Sequence, residues 1–117
     1  MAIDGIGTDI VEIDRIAKAI KKWGQGFLNH VFTSEEIAYA QKQKFPAQHF
    51  AARFAAKEAV LKAFGDNAHI TWKDIKIIND KHGKPCCIFY KKNFKKKILI
   101  SLSHTKKYAV ASAIISK

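Results

Sequence analysis

The feature that most constrains the fold is one alanine-rich segment, AARFAAKEAVLKAFG, which runs from Ala51 to Gly65. Larger apolar side chains recur in it at helical spacing, and alanines cover much of the opposite side, so the segment predicts a helix that packs on two faces. Gly65 suits a left-handed helix end. The larger apolar positions are Phe50, Phe54, Leu61 and Phe64, and the alanines are Ala52, Ala55, Ala56, Ala59 and Ala63.

Glu58 lies at the edge of the apolar stripe of this helix, between Phe54 and Leu61 in helical projection. A carboxylate on a helix that is buried on two sides needs a partner, because an unpaired buried charge is costly or becomes neutral. Two kinds of partner are open: a lysine, either Lys57 or Lys62, or a metal ion. Glu58 and Lys62 have the i, i+4 spacing of a favourable surface ion pair, so the helix alone does not decide.

Length and composition predict one globular domain over residues 1–117, with 48% hydrophobic and 26% charged residues. The sequence has no apolar run of membrane-spanning length and no signal-peptide pattern, so we expect a cytoplasmic protein without a membrane span. Cys86 and Cys87 are adjacent and lack the spacing of a redox or zinc motif. We expect them to be strand residues in a reducing compartment.

The charge is strongly basic: 21 Lys and Arg against 10 Asp and Glu give a formal net charge of +11. An acidic partner is therefore expected. Only Arg15 and Arg53 are arginines, and the adjacent Phe89 and Tyr90 point to opposite strand faces, which disfavours nucleic-acid recognition. One group of lysines is interpreted as solvated surface: Lys91, Lys92, Lys95, Lys96 and Lys97.

The first third of the chain predicts a strand followed by a helix. Residues 3–13 alternate in the manner of a strand, with Asp9 on the face opposite Ile6 and Ile10. Asp14 is predicted to cap a helix that continues to about residue 22. Gly24 and Gly26 are predicted to break it.

The remainder predicts two helices and then antiparallel strands. Thr33 and Glu36 have the spacing of a capping box, which opens a helix to about Lys44, and Pro46 suits the first turn of the alanine-rich helix. The order predicts an α+β fold, in which an antiparallel sheet packs against the long helix and shorter helices. The predicted strands are 72–79, 86–90, 98–103 and 107–116, with a turn at 80–84.

Asp9 is a second unusual carboxylate, because it interrupts a strongly apolar strand pattern directly after Gly-Ile-Gly. A turn or bulge aspartate is the alternative interpretation. Together with Glu58 it suggests a hard-metal site, because Mg²⁺ uses one or two carboxylates and leaves other positions to water and substrate phosphate. Lys57, Lys62 and His104 offer positive charge for such a phosphate.

Six segments occur in order along nearly the whole chain: GIGTDIVEIDRI, FTSEEI, RFAAKEAVLKAFG, WKDI, GKP and SLSHTKKYAVASAII. Together they resemble the holo-[acyl-carrier-protein] synthases, the small trimeric class of 4′-phosphopantetheinyl transferases. The combination of GxDxxxxxRI with RFAxKEAxxKAFG is specific to this family. Two other functions remain as alternatives: a non-enzymatic, nucleic-acid-binding domain and an inactive interaction module.

The resemblance implies a Mg²⁺-dependent enzyme of fatty acid biosynthesis. Such enzymes transfer the 4′-phosphopantetheine group from coenzyme A to a serine of apo-acyl carrier protein and release adenosine 3′,5′-bisphosphate, in sites between subunits of a homotrimer. By similarity, Asp9 and Glu58 bind the metal, and the catalytic residues are Glu58 and Lys62, of which Lys62 stabilises or protonates the departing phosphate. The residues placed near coenzyme A are Arg53, Lys57, Gly83, Lys84, Pro85 and His104.

The resemblance also implies that the first helix docks on the acidic acyl carrier protein, with Arg15 and Lys22 as the predicted contacts. Three interpretations remain for Lys44: it contacts coenzyme A, it contacts the carrier, or it is an ordinary surface residue. The base that accepts the serine proton is not identified by the sequence, and a metal-bound water relayed to Glu58 is one option. No nucleic-acid partner is expected.

Overall fold

The chain folds into a three-stranded sheet, a two-stranded hairpin and helices that pack between and beside them. The structure is a computed structural model, and it describes residues 2–65, 69–91 and 94–117. Lys92, part of the predicted lysine surface, lies outside these residues. The elements are β1 (Ile3–Glu12), α1 (Ile13–Trp23), α2 (Gln25–Val31), α3 (Ser34–Gln41), α4 (Pro46–Phe64), a 3₁₀ turn (Trp72–Asp74), β2 (Ile75–Asn79), β3 (Pro85–Phe89), β4 (Lys97–His104) and β5 (Tyr108–Ser116).

The larger sheet has the strand order β1-β5-β4, and both pairings are antiparallel. Asp9, Ala111 and Leu102 lie side by side on its three strands. The predicted alternation of β1 is confirmed, because Ile6 and Ile10 are exposed on one face while Gly7 is buried on the other. The buried face of the sheet lies on α4.

Strand β1 approaches the backbone of α4 unusually closely, and two glycines make this possible. A Cβ atom added to Gly5 would lie 2.0 Å from the carbonyl oxygen of Ala63, and one added to Gly7 would lie 1.9 Å from that of Ala59. Only glycine tolerates such contacts, because the carbonyl oxygens belong to a rigid helix. Because of this close approach, Asp9, which follows the two glycines in β1, lies beside α4.

The other side of α4 packs against the β2–β3 hairpin. Ile75 and Ile77 of β2 are buried with Val60 of α4, and Phe64 stacks on Phe89 of β3 with ring centroids 5.1 Å apart. The predicted packing of α4 on two faces is therefore confirmed. The predicted α+β class is confirmed as well.

Predicted local signals around α3 and α4 are largely confirmed. The Thr33 hydroxyl accepts from the Glu36 amide at 3.3 Å, and the Glu36 carboxylate accepts from the Thr33 amide at 2.8 Å, which completes the capping box. Helix α3 ends at Gln41 and not at Lys44. Pro46 lies in the first turn of α4, as predicted.

Other boundaries differ from the prediction. Glu12, and not Asp14, is the N-cap of α1, and its side chain makes no capping hydrogen bond. Gly24 alone separates α1 from α2, with a φ of 59°, whereas Gly26 lies inside α2, a helix that was not predicted. Residues 72–74 form a 3₁₀ turn in place of the start of a strand. Among the helices of the described ranges, none combines the length and apolar character needed to cross a bilayer.

Candidate active site

An open cavity of about 440 Å³ lies where β1 passes α1 and α4. Asp9 of β1, Arg15 of α1 and Glu58 of α4 all line it, although they are distant in sequence. Phe27 and Phe54 form part of its apolar lining. The two carboxylates that the sequence singled out therefore meet in one pocket.

The environment of Glu58 favours the protonated form of its carboxyl group. Burial raises the pKa of Glu58, and the neighbouring Asp9 carboxylate raises it further. Trp72 and Lys62 act in the opposite direction and lower that pKa. A buried carboxyl group whose ionisation is disfavoured by a second carboxylate is suited to binding a cation beside that carboxylate, because the cation removes the repulsion.

Lys62 is bonded to Asp9 and not to Glu58. Its Nζ lies 3.1 Å from Asp9 Oδ1 and 3.1 Å from the carbonyl oxygen of Thr8. The side chain of Lys62 is 55% exposed, so its ammonium group remains accessible to a ligand. The surface ion pair of Glu58 with Lys62 is absent from the described part of the chain, and the alternative of a metal partner gains support.

Asp9 and Glu58 fit the requirements of Mg²⁺. Within residues 2–65, 69–91 and 94–117, the structure contains no cluster of three or more His, Cys, Asp and Glu side chains that would enclose a metal ion. Two carboxylates at an open cavity leave coordination positions for water and for the oxygens of a substrate phosphate. We use the name Asp9–Glu58 site for Asp9, Glu58 and Lys62.

Trp72 stands beside this site and was not recognised as a site residue from the sequence. Its ring packs against Phe54 and His30, with centroid distances of 6.0 and 5.5 Å. The Trp72 Nε1 atom is buried without a hydrogen bond of good geometry, yet it is near enough to lower the pKa of Glu58. A tryptophan at the predicted start of a strand gave no signal of this placement.

A second group of predicted site residues surrounds Tyr39. The Arg53 guanidinium lies 4.1 Å from the centre of the Tyr39 ring, and the His49 ring packs edge-on against Tyr39 at 5.7 Å. Burial lowers the pKa of His49, and the charges of Arg53 and His104 lower it further. We call Tyr39, His49, Arg53 and His104 the Tyr39 cluster.

The tip of the β2–β3 hairpin reaches the same cluster. Asn79 donates to the Tyr39 hydroxyl at 2.8 Å and pairs with Pro85 across the hairpin. The turn before Pro85 contains Gly83, with a φ of 84°, and it exposes Lys84. The predicted coenzyme A residues of the hairpin thus lie at the Tyr39 end of the subunit.

Asp9 and His104 lie on opposite edges of the larger sheet. Asp9 belongs to β1 and His104 to β4, and β5 lies between these strands. With two strand spacings between them, β1 and β4 are about 10 Å apart. Arg53 and His104 are absent from the residues that line the cavity at Glu58. Within one subunit, the cavity at Asp9 and Glu58 is therefore lined without Arg53 and His104.

Among the predicted coenzyme A residues, Arg53 and Lys57 are both buried, and the ammonium group of Lys57 is also fully bonded inside the subunit. The side chain is fully buried, and its Nζ lies 2.6 Å from Glu36 Oε1. It also donates to the carbonyl oxygens of Val31 at 2.8 Å and of Trp72 at 3.0 Å. These three bonds use all three hydrogens of the ammonium group, so none remains for a phosphate.

Helix α1 presents the predicted carrier-binding side chains to solvent. Arg15 is exposed at the rim of the Asp9–Glu58 site. Lys22 is exposed one residue before the helix end, with its Nζ 4.8 Å from the centre of the Trp23 ring. Lys18 is paired with Asp14 at 2.9 Å. A basic surface therefore extends from the edge of the cavity along α1.

Comparison with known proteins identifies relatives over nearly the full chain. A sequence profile of the 4′-phosphopantetheinyl transferase superfamily matches residues 5–113. The holo-[acyl-carrier-protein] synthase of Protochlamydia amoebophila is 49% identical over 118 residues, which cover 96% of this chain and 97% of the relative. The holo-[acyl-carrier-protein] synthase of Thermodesulfovibrio yellowstonii is 46% identical over 114 residues, which cover 97% of this chain and 99% of that relative.

Solved structures of similar proteins share the fold. The holo-[acyl-carrier-protein] synthase of Bacillus anthracis, solved in complex with CoA (3′,5′-ADP), superposes with a TM-score of 0.86 at 35% identity, covering 98% of this chain and 97% of that one. The Helicobacter pylori enzyme, solved with coenzyme A, superposes at 0.85 with 30% identity, covering 95% and 99%. The chain therefore belongs to the 4′-phosphopantetheinyl transferase superfamily and, within it, to the holo-[acyl-carrier-protein] synthases.

Proposed function

We propose that this chain transfers the 4′-phosphopantetheine group of coenzyme A to a serine of apo-acyl carrier protein, in support of fatty acid biosynthesis. The reaction depends on Mg²⁺ and releases adenosine 3′,5′-bisphosphate. The observation that carries the proposal is the meeting of Asp9 and Glu58 in an open cavity, with the accessible Lys62 bonded to Asp9. The two carboxylates suit a magnesium ion that also holds phosphate oxygens.

The reaction is a substitution at phosphorus. The serine oxygen forms a bond to the phosphorus that carries pantetheine, and the bond from that phosphorus to the bridging pyrophosphate oxygen breaks. Mg²⁺, when held by Asp9 and Glu58, neutralises charge on the pyrophosphate. The main contribution of the protein is to position the reacting groups, because phosphoryl transfer requires little covalent chemistry from side chains.

Lys62 and Glu58 have separate roles in this scheme. Lys62 turns from Asp9 to the departing phosphate, where its ammonium group stabilises the developing negative charge. Its partly exposed side chain permits this movement. Glu58, whose carboxylate lines the cavity, accepts the serine proton through a water molecule.

The active enzyme is a homotrimer, and each site combines half-sites of two neighbouring subunits. The absence of Lys84 and His104 from the lining of the cavity at Glu58 supports this arrangement, because a neighbour can supply these two exposed side chains. The sheet face opposite α4 supports it as well, since Ile6 is 72% and Ile10 is 64% exposed there. Apolar exposure of this kind marks a surface for association.

The acidic acyl carrier protein docks on α1. Arg15 at the rim of the cavity guides the serine towards the Asp9–Glu58 site, and Lys22 contacts the carrier farther along the helix. Complementary charge raises the rate and specificity of such an encounter. Arg15→Glu is therefore expected to raise KM for the carrier and to leave coenzyme A binding unchanged.

The direct test is incubation of the protein with coenzyme A, Mg²⁺ and apo-acyl carrier protein, followed by mass spectrometry of the carrier. We expect the mass to rise by one phosphopantetheine group, and adenosine 3′,5′-bisphosphate to form in equal amount. An unmodified carrier, with a known enzyme active in parallel, would contradict the proposal. Omission of Mg²⁺ with a chelator present should abolish the product.

Two pairs of variants test the carboxylates. Asp9→Asn and Glu58→Gln should each lose most activity, at least about 100-fold, while the fold is retained. The matched controls are Asp4→Asn, on the same strand, and Glu35→Gln, an exposed glutamate of α3. Near-normal turnover of either site variant at limiting Mg²⁺ would remove that residue from the metal site.

A further inference from the structure

We propose that the buried ion pair of Glu36 and Lys57 is a positioning couple, which holds the two half-sites of each subunit in fixed geometry. The inference rests on the proposed transferase function and assigns a role to Lys57, whose ammonium hydrogens are all bonded within the subunit. Glu36 and Lys57 act through other residues and do not touch the substrates.

Every polar atom of the pair is used within the subunit. Glu36 Oε1 receives the Lys57 ammonium at 2.6 Å and the Thr33 amide at 2.8 Å, while Oε2 receives the Ile77 amide at 2.7 Å. Both side chains are fully buried. A buried ion pair adds little stability over an apolar pair of the same volume, because desolvation offsets the attraction. A role in geometry explains the pair better than a role in stability.

On the Lys57 side, the pair is joined to the Asp9–Glu58 site. Lys57 precedes Glu58 in α4, so a fixed Lys57 fixes the helix turn that carries the carboxylate. Its Nζ also holds the carbonyl oxygen of Trp72 at 3.0 Å. The Trp72 ring packs against Phe54, which lines the cavity. Lys57 thus connects α4 to Trp72, whose ring supports the cavity wall at Phe54.

On the Glu36 side, the pair is joined to the Tyr39 cluster. Glu36 holds the amide of Ile77 in β2, and Asn79 of the same strand donates to the Tyr39 hydroxyl. Tyr39 lies on α3 one turn after Glu36, and its ring packs against the Arg53 guanidinium group. A displacement of the pair therefore reaches both half-sites.

The test compares two double variants. Glu36→Gln with Lys57→Met removes both charges and keeps approximate side-chain volume. Glu35→Gln with Lys76→Met is the matched control, because this pair, whose Glu35 side chain is 66% exposed, joins the same helix α3 to the same strand β2 at 2.8 Å. Oligomeric state and thermal melting are measured first, and kcat, KM for the carrier and the Mg²⁺ requirement follow.

We expect the buried-pair variant to fold, to lose at least about tenfold in kcat and to need more Mg²⁺, because small displacements of reacting groups strongly slow phosphoryl transfer. KM for the carrier should not change, since α1 makes no bond to the pair. The control variant should stay within about twofold of the unmodified enzyme. A folded buried-pair variant with normal kcat and Mg²⁺ requirement overturns the inference while leaving the function intact.

If the buried-pair variant does not fold, hydrogen exchange in the unmodified protein decides. Addition of Mg²⁺ and coenzyme A should slow exchange of the Ile77 amide, which bonds Glu36 and lies outside both half-sites. Unchanged exchange at Ile77, with coenzyme A binding shown by calorimetry, overturns the inference. An unmodified protein that transfers no phosphopantetheine contradicts the proposed function itself, which separates the two failures.

Discussion

Glu58 occupies a position that is unfavourable for a carboxylate in the protein without metal. Burial and the Asp9 carboxylate both raise its pKa above the ordinary value of 4.5. A raised pKa means that the folded state holds the proton more tightly than the unfolded chain does. The contribution of Glu58 to stability is then present at low pH and is lost as the pH rises through the folded-state pKa.

Glu58→Gln should therefore stabilise the metal-free protein at neutral pH while abolishing catalysis. We expect the melting temperature to rise by roughly 1–4 °C at pH 7. The gain should vanish below the ordinary glutamate pKa of 4.5. Differential scanning calorimetry in the presence of a chelator measures it. Glu35→Gln, at an exposed site, should show no gain, and a lower melting temperature for Glu58→Gln at neutral pH would contradict the assigned environment.

Lys62 should act on turnover and not on substrate affinity. The Lys62 ammonium is bonded to Asp9 in the metal-free site, and the Lys62 side chain is 55% exposed. A bound phosphate can therefore replace Asp9 as the partner of this ammonium group. Lys62→Ala is expected to lower kcat by about 100-fold with little change in Kd for coenzyme A. Lys96→Ala, which removes the partner of Asp4 on β1, is the control. An effect confined to coenzyme A affinity would assign Lys62 to binding.

Single residues show what a sequence can and cannot predict about a site. Glu58 and Asp9 were recognisable because each breaks an apolar pattern, and such breaks require compensation. The resemblance predicted Lys57 near coenzyme A, whereas the structure pairs its buried ammonium group with Glu36. Its partner Glu36 was visible only as a capping residue. Long-range partners of this kind depend on the packing of α3 against α4.

Among the elements, the contact of β1 with α4 matters most for the site, and Gly7 tests it. A methyl group at Gly7 meets the carbonyl oxygen of Ala59 at 1.9 Å, so the strand must move away from the helix. Gly7→Ala should lower the free energy of unfolding by about 2 kcal/mol or more and also reduce activity, because Asp9 moves with the strand. Urea titration and the transfer assay measure both effects.

Gly26→Ala is the matched control for this change. An added Cβ meets nothing within 4 Å there, and Gly26 lies inside α2. Alanine should stabilise that helix by about 0.5–1 kcal/mol. Equal behaviour of the two alanine variants would show that the close contact of β1 with α4 is not what positions Asp9.

Elements with strong local signals were predictable, and α2 shows why others were not. The capping box of α3 and the proline and glycine that bound α4 are local features. Helix α2 is short and contains Gly26, so its own sequence gives little preference for helix. It forms because Leu28 and Val31 are buried in the core, which is a property of the folded chain.

For the whole molecule, the exposed apolar face of the larger sheet is the feature that supports the trimer hypothesis. The alternation of β1 showed from sequence that Ile6 and Ile10 share a face, but not whether that face is covered. Ile6 pairs with Ile114, which pairs with Leu99, so an apolar band crosses the sheet. Residues distant in sequence form this band, which explains why the sequence alone left the association open.

Ile6→Glu should break the trimer and, with it, the activity. The substitution places a carboxylate on the apolar surface of each subunit, and burial of an unpaired carboxylate in an interface is strongly unfavourable. We expect monomers by analytical ultracentrifugation, a native-like circular dichroism spectrum and at least about 100-fold less turnover. Gln41→Glu, at an exposed position of α3, should remain trimeric and active. A monomeric Ile6→Glu protein with full activity would contradict sites shared between subunits.

Mixing two inactive proteins tests the shared sites most directly. Glu58→Gln damages the Asp9–Glu58 site, and the double variant Lys84→Ala with His104→Ala damages the other half-site. Each protein alone should be nearly inactive. After denaturation and joint refolding at equal amounts, about a quarter of the sites should combine an intact half from each of two subunits, so about a quarter of the activity should return. The control is unmodified protein that is refolded separately and regains full activity. If joint refolding of the two variants then restored no activity, both halves of each active site would come from one chain. The recovered fraction therefore measures the share of active sites that combine residues of two subunits.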